Sequence, residues 1–207
     1  MAPKLTLTYF PFPAVAEQIR WALALSGLEW EDKRITKEEF GAVKPTLPYN
    51  QLPILEVDGV VIPQSTAQLR YVGKLGDLYP TDAIQAAFAD AAVEAVGDHH
   101  TQLRPTMFAA EEEKAALRKE MTENFLPRWL GNLEKMLKSA GGEYFAGNKL
   151  SIGDIAVVCR LVWMKKGVLD GIPATIVDDY PLLTSLVERV SSEPKIVAYQ
   201  NALLEKK

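Results

Sequence analysis

The first eighty residues change hydrophobic period several times. "KLTLTY" alternates apolar and polar side chains with period two, as a half-buried strand does. "AVAEQIRWALALSG" repeats apolar residues at helical spacing through Val15, Ile19, Ala22 and Leu23, and Gly27 supplies a helix stop. "EWEDKRI" reads as a second strand. After a Pro-rich loop come "ILEV" and "VVI", separated by Asp58-Gly59, a hairpin turn signal. "STAQLRYVGKLG" predicts a helix with Ser65 as N-cap and Gly76 past its end. The order is β-α-β, then β-β-α. One residue sits oddly in it: Pro53 stands directly against "ILEV", although proline has no N–H for a sheet ladder.

From Thr81 on, strand signals vanish. Ile84, Ala87, Phe88, Ala91 and Ala95 form one helical stripe, and Leu117, Met121, Phe125, Trp129, Leu133 and Leu137 a second. The second helix opens on Glu111, Glu112 and Glu113 and closes on Lys135 and Lys138, the charge order a helix dipole favours. Pro127 should kink or break it. "LSIGDIAVVCRLVWMKKG" is a further helix, with Ser151 and Asp154 at capping-box spacing. Pro181 and Pro194 each sit where a first helical turn would start. These readings predict a small α/β domain over 1–79, a linker near 80–82 and an all-helical domain over 83–207.

Composition narrows the function classes. With 48% hydrophobic and 24% charged residues, the chain has the makings of a real core. A net charge of -4 and no block of Lys and Arg argue against nucleic acid as a partner. No apolar run approaches a bilayer span, and "MAPKLTLTYF" lacks a signal-peptide layout, so no membrane and a cytoplasmic location are expected. A single cysteine, Cys159, excludes an internal disulfide or a CxxC motif, and its apolar helix suggests a buried small hydrophobe. His99 and His100 are adjacent, about 100° apart on a helix, which does not suit a shared metal.

The strand and helix order, "QLP" before the third strand, "PQS" before the last helix of the small domain and "SIGD" at a later helix start together resemble the cytosolic glutathione transferases. The similarity runs the whole length of the chain. "TYF", "KPTLPYNQLPILEVDG" and "PQSTAQLRYV" look most like the sigma class, which includes glutathione-dependent prostaglandin D synthases. The resemblance implies a thioredoxin-like α/β domain (β-α-β-α-β-β-α) followed by an all-α bundle. It also implies a homodimer that uses glutathione as co-substrate, with no metal or prosthetic group, and adds its thiolate to small apolar electrophiles.

Residue by residue, the resemblance makes Tyr9 the hydrogen-bond donor that holds the glutathione thiolate. Lowering a thiol pKa by ~2 units takes roughly 2.7 kcal/mol, within reach of one charge-assisted hydrogen bond. Gln64 and Ser65, at a helix N-terminus suited to an anion, would take the γ-glutamyl carboxylate. Gln51, Leu52 and a cis Pro53 would present backbone to the cysteinyl unit, and Lys44 and Phe40 would serve the glycine end. Asp98 would reach the glutathione of the partner subunit, and Tyr49 occupies an intersubunit aromatic position, with local packing as its simpler reading. Phe10, Phe12, Pro13, Met107 and Phe108 are candidates for the second-substrate pocket, although core packing explains the last two equally well.

Three positions depart from the family pattern. Val15 replaces an arginine that assists the active site, Phe40 replaces a loop tryptophan, and Asn50 stands where glycine is common. These keep two alternatives open: an isomerase of the prostaglandin synthase type, and a non-catalytic ligand-binding or structural protein of the same fold.

Overall fold

Strand β1 (Leu5–Tyr9) is central in the sheet and buries every second residue, Leu5, Leu7 and Tyr9. A computed structural model describes residues 3–205 of the chain. β1 pairs in parallel with β2 (Trp30–Arg34) and antiparallel with β3 (Ile54–Val57), which pairs antiparallel with β4 (Val60–Ile62). The order is β2-β1-β3-β4. Asp58 (φ 50°) and Gly59 (φ 85°) form the tight β3–β4 turn, left-handed at both positions as a two-residue hairpin requires. Pro53 therefore precedes the first ladder residue of β3, where a missing N–H costs no sheet bond.

Helices α1 (Glu17–Ser26) and α3 (Ser65–Leu75) pack together in this unit. Their C-terminal ends approach so closely that a Cβ on Gly76 would lie 2.5 Å from the Ser26 Cβ. Helix α2 (Lys37–Val43) lies inside the stretch read from periodicity as loop. It buries no side chain, so it carries no apolar stripe; its signal is the capping box "TKEE", in which Thr36 and Glu39 cap each other reciprocally. Ser65 is the first residue of α3 and not its N-cap, as had been expected. That place belongs to Gln64, whose φ of 68° lies outside the helical region.

The chain divides into two units: the described residues up to Tyr79 together with those from Pro194 onward, and Pro80–Glu193. Helix α9 (Pro194–Leu204), read from sequence among the second-domain helices, thus groups with the thioredoxin-like sheet. Lys195 Nζ donates to the Leu25 carbonyl at 2.8 Å, and the Tyr199 ring lies 6.5 Å from Trp30.

The second unit is all helical: α4 (Ala83–Thr106), α5 (Glu111–Glu120), α6 (Leu126–Ser139), α7 (Ile152–Lys165) and α8 (Pro181–Ser191). A π-helical turn, Met121–Phe125, joins α5 to α6 in one continuous helical run, and Pro127, which has no N–H to give, follows directly on this widened turn. α4 packs on α7 at a distance only glycine permits, since a Cβ on Gly153 would stand 2.9 Å from the Ala89 carbonyl oxygen. The expected capping box forms: Asp154 accepts from Ser151 N and Oγ and from Phe145 N, all at 2.8 Å. Burial nevertheless pushes the Asp154 carboxyl up to about 6.

The α4 stripe expected from periodicity is not the one that packs. Ala89, Ala92, Val93, Val96, His99 and Leu103 are buried, whereas Ile84 and Phe88 are 66% and 45% exposed. Alanine-rich helices present two weakly apolar faces, and only the tertiary partner selects one. Cys159 is half-buried and in no disulfide, less enclosed than its apolar run suggests.

His99 is fully buried, 4.8 Å from the Trp129 ring centroid, with neither ring nitrogen hydrogen-bonded. Burial first, then the charges of Arg160 and His100, lower its pKa to about 3. The unfolded chain therefore takes up a proton near pH 6.5 that the fold refuses until about 3, so this group draws stability away as pH falls through that window. Asp154 acts oppositely between about 6 and 3.8, because its folded form holds the proton longer. Urea titrations of the wild type and His99→Leu at pH 7 and pH 4.5 should show a smaller acid loss in the variant, by about 2 kcal/mol. Equal losses would refute this reading of His99.

Candidate active site

Tyr9 ends β1, and its carbonyl oxygen accepts from Ile35 N at 2.9 Å. The following segment folds back so that Tyr9 meets Phe10 and Phe12 edge-on, with centroids 5.3 and 5.6 Å away. Phe10 stacks on Phe12 and meets Phe40 edge-on, each at 5.3 Å, and Lys44 Nζ lies 5.9 Å from the Phe40 ring centre. Five residues assigned separately from sequence thus form one aromatic wall with a cation at its end. Pro13 is exposed on the same segment.

Burial pushes the Tyr9 phenol up, and the Arg20 guanidinium, 5.8 Å from the ring centre, pulls it partly back. The net direction is upward, so at neutral pH the phenol keeps its proton and remains a donor. Arg20 is the buried charge beside Tyr9 that the sequence reading missed. Fully buried, it donates to the carbonyls of Phe10 (3.1 Å) and Phe12 (2.9 Å) and to Asp32 (3.1 Å), and also contacts Glu17 (3.4 Å). Its signal was a lone arginine inside the apolar run "IRWALAL". Such a residue must find partners on other elements when buried.

The Leu52–Pro53 bond is cis. Gln51 before it is exposed and extended (φ -134°, ψ 157°), the conformation in which backbone N–H and C=O can pair with a peptide ligand. Tyr49 and Asn50 both have positive φ, 57° and 52°, which explains why glycine suits position 50 and why asparagine is tolerated. Tyr49 is 69% exposed, so local packing does not account for it.

At α3 the N–H groups of Ser65, Thr66 and Ala67 have no intrahelical acceptors, as at any helix N-terminus. Gln64, exposed at φ 68° and ψ 114°, is held in a conformation that costs non-glycine residues ~1–3 kcal/mol. Asp98, Met107 and Phe108 belong to the second unit. Asp98 is exposed on α4, and Phe108 is 82% exposed, so core packing does not explain the latter. Met107, also exposed, has its sulfur 4.0 Å from Arg118 Nη2.

The fold defines a class: a thioredoxin-like domain joined to an all-helical one, with a protonated tyrosine at the end of the first strand. Comparison with known proteins gives the family. Residues 5–74 match the model for the glutathione S-transferase N-terminal domain and 97–202 that for the C-terminal domain. The chain is 34% identical to glutathione S-transferase A3 of Mus musculus, over 95% of its own length and 88% of that protein's. Its structure resembles prostaglandin synthase D of Nilaparvata lugens (TM-score 0.88, 32% identity, 96% and 98% of the two chains covered). It also resembles rat hPGDS complexed with a quinoline (TM-score 0.86, 28% identity, 97% of each chain). The chain belongs to the glutathione S-transferase family and is an enzyme of that kind.

Gln64→Gly should raise unfolding stability by about 1 kcal/mol in urea titrations, because glycine relieves the positive φ. A loss of stability would show that the Gln64 side chain, and not backbone strain, governs this position.

Proposed function

We propose that the protein is a sigma-like glutathione transferase that adds the thiolate of reduced glutathione to small apolar electrophiles, a detoxifying reaction, in the cytoplasm and as a homodimer. The observation that carries this reading is Tyr9 at the end of β1, edge-on to Phe10 and Phe12, with Phe10 in turn against Phe40, in the same unit as the N-terminus of α3. The Tyr9 hydroxyl donates to the glutathione sulfur and favours its anion over its thiol. Backbone of Gln51, Leu52 and Pro53 pairs with the cysteinyl unit, Gln64 and Ser65 take the γ-glutamyl carboxylate, and Lys44 beside Phe40 takes the glycine carboxylate. Asp98 of the partner subunit approaches the glutathione amino group. Phe10, Phe12 and Pro13 supply apolar surface for the electrophile.

Val15 leaves the site without its usual arginine. Arg20 places a positive charge beneath the Tyr9 ring, a contribution of the same sign from α1. No helix among the described residues is long and apolar enough to cross a membrane. A second reading, a glutathione-dependent prostaglandin isomerase, is supported by the similarity to prostaglandin synthase D structures.

Tyr9→Phe should lower turnover of a chromogenic aryl halide about 100-fold, the rate equivalent of roughly 2.7 kcal/mol, while retention on immobilised glutathione persists. Retention without turnover in the wild type would instead favour a binding protein. For the dimer, the exposed Ile84 and Phe88, one helical turn apart on α4, offer an apolar face for a second copy. Sedimentation should give twice the subunit mass for the wild type at micromolar concentration and one subunit mass for Phe88→Glu. A monomeric wild type would remove Asp98 from its intersubunit role.

A further inference from the structure

Gln68 has a feature that neither its helix nor its burial requires. It lies one turn into α3 with no exposed surface, flanked by the buried Leu69 and Val72. An apolar residue would fill this place without a polar group to satisfy. Instead, its side-chain nitrogen donates both hydrogens, one to the Pro53 carbonyl and one to the Ile62 carbonyl, each at 2.8 Å. Both partners are carbonyl oxygens, so only the NH2 group can face them and the amide orientation is settled by chemistry. The Gln68 backbone N–H donates to the Gln64 carbonyl at 3.0 Å. One residue thus joins the cis-proline corner, the end of β4 and the strained residue that starts α3.

We propose that Gln68 is a positioning residue of the glutathione site. It holds the 51–53 backbone and the α3 N-terminus at a fixed separation, so that a single peptide ligand spans both. The proposal rests on the glutathione reading above. Gln68 touches no substrate; it acts through Pro53 and Gln64. Each of the two carbonyls it serves lies within a residue or two of a proposed ligand contact: Pro53 next to Leu52, and Ile62 two residues before Gln64. Loss of the amide would leave two carbonyls without this donor and free the two ligand-binding segments to move independently. The remaining side-chain oxygen, buried without a partner, shows that the amide is placed for its donors.

The test compares Gln68→Met, of similar volume but without donors, with Val72→Ala, a cavity-forming change on the same helix. Calorimetry gives glutathione affinity, steady-state kinetics separate KM from kcat, and urea titration gives stability. Gln68→Met should bind glutathione about tenfold more weakly, with a matching rise in KM and kcat at saturation close to wild type. Val72→Ala should lose stability and keep its affinity. Gln68→Glu supplies a further arm: its carboxylate would repel both carbonyls, but once protonated it donates one hydrogen. Its affinity relative to wild type at the same pH should therefore recover on lowering the pH from about 8 to about 5.5. Wild-type affinity in Gln68→Met, an equal loss in Val72→Ala, or no recovery in Gln68→Glu would overturn the positioning role. A wild type that binds no glutathione would instead reject the site reading itself, a separate and visible outcome.

Discussion

Arg20 is the interaction on which the first unit turns. Its guanidinium is removed from water and bonded to two main-chain carbonyls and a carboxylate, so displacing any partner would strand a buried charge. Through these bonds α1 grips the segment after β1 and ties it to Asp32 of β2. The same network extends to α9, because Glu17 accepts from Trp21 Nε1 at 3.1 Å and lies 3.5 Å from the Tyr199 hydroxyl. Tyr9 therefore sits in a frame whose geometry is set by hydrogen bonds and not by apolar packing alone. Burial outweighs the nearby cation, so the Tyr9 phenol lies above the ordinary range for a tyrosine.

Around that frame the proposed site is mostly main chain. The first unit holds a cis-proline corner, an extended residue at Gln51, the N-terminus of α3 and three residues of positive φ, Tyr49, Asn50 and Gln64. Backbone groups cannot be changed by mutation one at a time, but the side chains that hold the backbone in place can. Arg20 does this for the loop after β1, and Gln68 joins the remaining two segments. The second unit rests on different physics: small residues at the α4–α7 contact, a buried capping box and a π-helical turn directly before Pro127.

Much of the fold was legible because its signals are local. Period-two alternation marked β1, Asp58-Gly59 marked the hairpin, and Pro181 and Pro194 each begin a helix. The misreadings have specific causes. α2 has no buried face, so periodicity could not reveal it, although its capping box was in plain view. Ser65 looked like an N-cap by residue type, but the left-handed Gln64 takes that place. On α4 the larger apolar residues, Ile84 and Phe88, suggested the packed face, whereas alanines and valines one position round the helix allow the closer approach.

The chemistry of the candidate site was readable as a list of residue types: a tyrosine at a strand end, a proline before a buried strand, a glutamine and serine at a helix start. Pattern and resemblance identify such groups because each depends on neighbours a few residues away. The convergence of Phe10, Phe12, Phe40 and Lys44 on one wall depends on how the segment after β1 and α2 are placed against each other. The burial of Arg20, the packing of α9 on α1 and the two bonds of Gln68 depend likewise on how other elements of the unit meet. These are contacts between different elements of the fold. No local periodicity encodes them, because the free energy that selects them comes from burying several elements at once.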